Sequence, residues 1–180
     1  MQTLEQANKR AADLYWLAFL LTGHRGLSVD AMLEAVGLPD DANPFFSAWM
    51  VAWSRRVFIA KALATIREEL AASARRIASK RAERTALPPS NWTLDRGTTK
   101  VQLESTLLAI DVFPRCALLL SVFEGVSLED VALLLDSERD LVRKAQMIGL
   151  RELTHNLARI QGWTSIPAKS YVVTSEMQHA

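Results

Sequence analysis

A chain of 180 residues, 49% hydrophobic and 23% charged, has enough apolar material for a buried core and falls outside the disordered class. Its 21 basic and 20 acidic residues nearly cancel, so any nucleic-acid surface depends on where charge sits and not on net charge. The single Cys116 excludes an internal disulfide framework and a cysteine-based zinc site, while only seven Gly and six Pro among frequent Ala, Leu, Glu and Arg favour helices.

The first periodic segment runs from about Thr3 to Leu21. Leu14, Leu17, Ala18 and Leu21 recur at helical spacing, and Gly23 is a natural stop. A short helix can start at Ser28, with Asp30 and Glu34 on one face and Ala31, Met32, Ala35 and Val36 on the other. Gly37, Pro39 and Pro44 then break the chain. The longest uninterrupted helix is predicted from about Phe46 to Arg84, carrying the apolar stripe Phe46, Trp49, Met50, Trp53, Val57, Ala60 and Ala64. Pro88, Pro89, Asp95 and Gly97 mark a linker, with Trp92 and Leu94 available to dock it on a neighbour.

Stronger signals lie beyond the linker. A helix from Lys100 to Ile110 precedes one from Pro114 to Glu124, with Pro in the first turn and Gly125 as its cap. Ser127 reads as an N-cap that accepts from the N–H of Asp130, and this helix ends by Leu135. A turn from Asp136 to Arg139 leads into a last long helix reaching Ile160. The expected fold is therefore all-α: two small helical domains, residues 1–84 and 100–160, joined by a linker at 85–99 and followed by a tail at 161–180. The second domain is a helix-turn-helix.

Two helices around a short turn are common, and the division of the last helix is more informative. Val142, Ala145, Gly149, Leu153 and Leu157 can face inward, while Arg139, Arg143, Lys144, Met147 and Arg151 fall near the opposite side. A DNA-reading helix needs small residues for close packing and long donors for phosphates and base edges. The plain alternative is a solvated face laced with Glu and Arg.

From Ala109 to Leu157 the residues resemble region 4 of extracytoplasmic-function-type RNA polymerase sigma factors. Phe113-Pro114, Leu119, Glu124-Gly125, Ser127, Asp130-Val131-Ala132, Leu135 and Val142 stand where that pattern places them. The front half is similar to region 2 of the same family, through Leu21-Thr22-Gly23, the segment Ser28 to Val36, and the long helix with Trp49. The resemblance implies a cytoplasmic transcription initiation protein that binds RNA polymerase core and directs it to promoter DNA, with an anti-sigma factor as a further partner. It implies that Asp30 and Glu34 dock polymerase, and that Arg55, Arg56, Lys61 and Arg67 join Arg139, Arg143, Lys144 and Arg151 in holding DNA. Arg56 and Arg67, eleven residues apart on one helix, could then track one phosphate strand.

Departures from the pattern keep a second reading open. Asp136 replaces a Gly at the turn, Ala145 and Ile148 replace frequent Arg, Leu141 a Thr, Leu33 a Gln, and His24 an acidic residue. An adaptor that binds polymerase or an anti-sigma partner without reading DNA fits these losses; a dimeric repressor would need an apolar self-association face. His24, His155 and His179 have no spacing partner for a metal, Glu68-Glu69 is a poor acid/base pair, and no phosphate loop or nucleophile elbow appears. No catalysis, cofactor or small-molecule substrate is expected. No basic leader with an apolar core opens the chain and no apolar run is long enough to span a bilayer, so no membrane partner is expected either.

Overall fold

The computed structural model describes residues 2–26, 44–79, 87–89, 92, 93, 95 and 97–163. Within these residues the chain is all-helical, without strands. The elements are α1 (Gln2–Thr22), α2 (Pro44–Thr65), α3 (Arg67–Ser79), α4 (Lys100–Leu108), α5 (Val112–Leu118), a π-helical turn Leu119–Phe123, α6 (Leu128–Leu134) and α7 (Arg139–Ile160).

The periodic stripe of α1 buries Leu17, Ala18, Leu20 and Leu21. Gly23 ends the helix with φ +76°, a left-handed conformation that a Cβ disfavours, and its N–H donates to Phe19 O at 2.8 Å. The long helix predicted from Phe46 is interrupted at Ile66. There the Ile66 N–H reaches Leu63 O at 3.2 Å, a three-residue closure, and the Thr65 hydroxyl takes Ala62 O at 2.7 Å. Two adjacent β-branched residues, one of them competing for a carbonyl, account for the break. The side chains of Trp49 and Trp53 lie outside the described residues, as do Leu94 and residues 80–86.

In the rear half, Thr99 and Gln102 form a reciprocal capping box on α4. Asp111 caps α5 by accepting from the Val112 N–H at 2.8 Å, which starts that helix two residues before Pro114. The five-residue closure Glu124 N–H to Leu119 O at 2.9 Å makes the π turn. It leaves Val122 and Phe123 half-exposed. Ser127 caps α6 as its spacing suggests, accepting from the Asp130 N–H at 3.1 Å.

Asp136 follows α6 with φ +49°. The Ser137 N–H closes onto Ala132 O at 3.0 Å, so the turn a glycine would make is made by aspartate, whose short side chain tolerates this region. α7 then packs its predicted inner face, with Val142, Ala145, Gly149, Leu153 and Leu157 all buried. Its main neighbour is α5.

One buried cluster draws on both halves, from Leu17 and Leu63 through Ile77 to Phe113, Val142 and Leu157, with Trp92 packed against it. Polar contacts cross the same boundary. The Phe113 N–H donates to the buried Ser73 hydroxyl at 3.1 Å, and the Trp16 indole N–H donates to Glu104 at 2.7 Å. Arg115 is 6% exposed and makes no ion pair among the described residues; it donates to Leu108 O, Ile110 O and Leu21 O, where α1 and α4 end. Free carbonyls at helix C-termini suit a cation, so the chain ends of two helices are held by one guanidinium. Burial lowers the pKa of Arg115 from its ordinary value.

Candidate nucleic-acid interface

The basic face of α7 is built by the turn before it. With Asp136 redirecting the chain, α7 presents Arg139, Arg143, Met147, Leu150 and Arg151 to solvent while Ala145 and Gly149 let its other side approach α5. Arg139 pairs with Glu129 at 3.0 Å, bracing the start of α7 against the start of α6. Both side chains are more than half exposed, so solvent screens the pair strongly. Lys144, expected among the outward donors, is half-buried on the flank of the helix and donates to Ala78 O of α3 at 3.3 Å. Arg143 and Arg151 remain outward.

The basic residues of the front half divide differently. Arg55 makes a bidentate pair with Glu124, Nε to Oε2 at 2.6 Å and Nη2 to Oε1 at 2.8 Å. That hydrogen bonding raises the pKa of Arg55 against the opposing effect of burial, and Asp13 adds to the negative field. Its charge is therefore largely answered within the chain. Arg56, Lys61 and Arg67 are exposed. Because α2 and α3 meet at the break at Ile66, the eleven-residue spacing of Arg56 and Arg67 does not fix their alignment. Arg67 opens α3 and lines a groove of about 240 Å³, whose walls are alanines and leucines of α2 and α3, among them Leu63, Ala64, Leu70 and Ala71, and the stretch Leu133–Asp136. Asp30 and Glu34 lie outside the described residues.

Three features were missed from the sequence. Arg75 is an exposed base of α3, hidden in a stretch that reads only as a thinning apolar face. Leu133 is 80% exposed, although its place in an apolar run reads as core. Arg115 could have been found, because a charge inside the buried run 112–120 needs internal acceptors.

Other candidate chemistry is quiet. Cys116 is fully buried, and burial pushes its thiol up to about 12, so it is a poor nucleophile where it stands. His155 stacks edge-on against Trp163 with ring centroids 5.6 Å apart. Among the described residues no group of three or more His, Cys, Asp or Glu could hold a metal, and no helix is long and apolar enough to cross a membrane.

An all-helical fold among the described residues, with an exposed basic helix face behind a tight turn, is the class of protein that these observations define. Comparison with family models, curated proteins and solved structures gives no match.

Proposed function

We propose that the chain is a sigma-factor-like transcription initiation protein that binds RNA polymerase core and directs it to promoter DNA. In this reading α6, the turn and α7 are a helix-turn-helix, the rear of two small helical domains, and the protein is a cytoplasmic adaptor without catalysis. The observation that carries it is the exposed stripe Arg143, Met147 and Arg151 on a helix whose opposite face is packed down to a glycine. Such a helix can enter a major groove, its cations meeting phosphates and an Arg reading guanine for roughly 1–3 kcal/mol of discrimination. The resemblance of residues 109–157 to region 4 of extracytoplasmic-function-type sigma factors supports the same assignment, and an anti-sigma factor is the further partner it suggests.

Pull-down of RNA polymerase core, followed by transcription from a promoter library, tests the reading. Polymerase binding together with promoter-selective transcripts is the expected result. Polymerase binding without selective transcripts supports the second reading, an adaptor that no longer reads DNA. That alternative draws on specific observations: Arg55 and Arg139 are engaged by Glu124 and Glu129, and Leu133, Val122 and Phe123 offer apolar surface to a protein partner.

A further inference from the structure

We infer that α7 reads thymine: Met147 and Leu150 receive the 5-methyl groups of thymines in the major groove, between cations at Arg143 and Arg151. The inference rests on the DNA-binding part of the reading above and names the base that this face recognises.

Four residues of α7 share one exposed face. Met147 is 49% exposed and Leu150 45% exposed, and Arg143 and Arg151 are exposed on either side of them. On a helix Met147 neighbours Arg143 and Arg151 at a spacing of four and Leu150 at a spacing of three, with Cβ atoms about 5–6 Å apart. The apolar pair is thus flanked along the helix by two guanidinium groups. The packed side fixes which residues face outward. Ala145 and Gly149 are buried there, and Gly149 backs directly on the Pro114 carbonyl of α5. Nearer its start α7 offers phosphate little, because Arg139 is held by Glu129 and Asp140 is exposed.

Charge decides what covers the pair. A protein partner that buried Met147 and Leu150 would also strip water from Arg143 and Arg151, a cost that only matched carboxylates offset. Duplex DNA supplies phosphates to both cations, and the apolar group it presents in the major groove is the thymine methyl. Arg143 and Arg151 are separated by about 12 Å along the helix axis, close to the groove's width of about 12 Å. Base edges then lie between them. Base pairs rise about 3.4 Å each, so the apolar pair reaches thymines on adjacent or next-but-one positions. The other half-exposed apolar pair differs in this respect. Val122 and Phe123 precede Glu124, whose carboxylate already holds Arg55, so the charge beside them is neutralised.

Removing the methyl from the DNA tests this without touching the protein. A random-sequence duplex pool is selected on the full chain, and a recovered duplex is remade with deoxyuridine in place of every thymidine. Fluorescence anisotropy compares the two across a salt series. Selected sequences are expected to share at least one fixed thymine, and the deoxyuridine duplex to bind roughly fourfold more weakly for each methyl contacted. Met147→Ala with Leu150→Ala should bind both duplexes alike and keep the parent's salt slope, since no cation is removed. Arg143→Gln should lower that slope by about one and keep the thymine preference.

Equal binding of the two selected duplexes by the parent overturns the inference and leaves reading through arginine standing. A thymine preference that survives in the double alanine variant overturns it as well; if that variant has lost RNA polymerase core instead, the pair is a protein contact. Failure to bind any duplex overturns it together with the DNA-binding reading.

Discussion

Gly149 of α7 faces the backbone carbonyl of Pro114 in α5 so closely that a Cβ at Gly149 would lie 2.7 Å from that oxygen and 3.2 Å from Leu118 Cβ. The obstructing atom is backbone, so it can yield only if α5 itself shifts. Gly149→Ala therefore sets two effects against each other: a gain of about 1 kcal/mol in helix propensity and an overpacking cost of roughly 1–3 kcal/mol. The rigid obstacle makes the second win, and urea unfolding is expected to show a lower midpoint for the variant. An alanine variant as stable as the parent would mean that α5 and α7 separate freely.

Arg115 offers a second test of packing. Replacement by Met keeps most of the volume but leaves the carbonyls of Leu108 and Ile110 without their guanidinium donor, while Leu21 O keeps the Cys116 thiol. Each orphaned buried carbonyl costs about 1–3 kcal/mol, while removing a desolvated cation gives some of that back. A net loss of about 2 kcal/mol is the expected balance. Chemical denaturation of Arg115→Met measures it, and an unchanged midpoint would show that the helix ends find other donors.

Much of this packing was legible in the sequence because it depends on spacing. The inner residues of α7 recur at helical intervals, and the caps at Gly23, Gly125 and Ser127 are local signals; all three appear in the structure. The break at Ile66 was not legible, because one carbonyl taken by the Thr65 hydroxyl leaves the apolar stripe intact. The π turn after α5 was hidden for a similar reason, since Leu119 and Leu120 fit either helical period. The candidate site was legible only along single helices. Lys144 meeting Ala78, and Arg55 meeting Glu124, join residues 66 and 69 positions apart. No periodicity within one element points to them.

Asp136 permits a graded test of the turn. Its φ of +49° is available to Gly without cost, tolerable for Asp, and strained for a β-branched side chain. Asp136→Gly is expected to change stability by less than about 1 kcal/mol, since relief of strain is offset by a freer unfolded chain. Asp136→Val should lose roughly 1–3 kcal/mol. Thermal melts of the two variants give the order, and a Val variant that melts with the parent would mean that the turn relaxes to a right-handed conformation.

The carboxylate of Asp111 predicts an acid response. Burial pushes its pKa up, but hydrogen bonds from Arg76, Ser73 and the Val112 N–H outweigh burial and hold it below the ordinary value. A pKa lower in the folded than in the unfolded state stabilises the fold above the unfolded value of about 4, and that contribution disappears as pH falls through the folded value. Asp111→Asn keeps a cap for α5 but removes this titration. Its stability should therefore fall less steeply than the parent's below about pH 4, as followed by urea midpoints across the acid range. Parallel curves would assign acid sensitivity to other carboxylates.

Two adjacent arginines test the proposed DNA-binding role against a structural one. Arg55 is held by Glu124, whose side chain is only 14% exposed, whereas Arg56 is exposed to solvent on the next position of α2. Solvent still reaches 37% of the Arg55 side chain, so the pair is worth about 1 kcal/mol and not several. Arg55→Gln should thus lower stability by about 1 kcal/mol while changing affinity for a DNA duplex by less than about twofold. Arg56→Gln should leave stability nearly unchanged and weaken binding by roughly two- to fivefold at moderate salt. Removing both partners, Arg55→Gln with Glu124→Gln, should recover part of the lost stability, because no uncompensated carboxylate remains. Urea unfolding and duplex anisotropy on the same three variants separate the roles. If Arg55→Gln weakens binding as much as Arg56→Gln, then DNA competes successfully with Glu124 for that guanidinium, and the pair between α2 and the π turn's end opens when DNA binds.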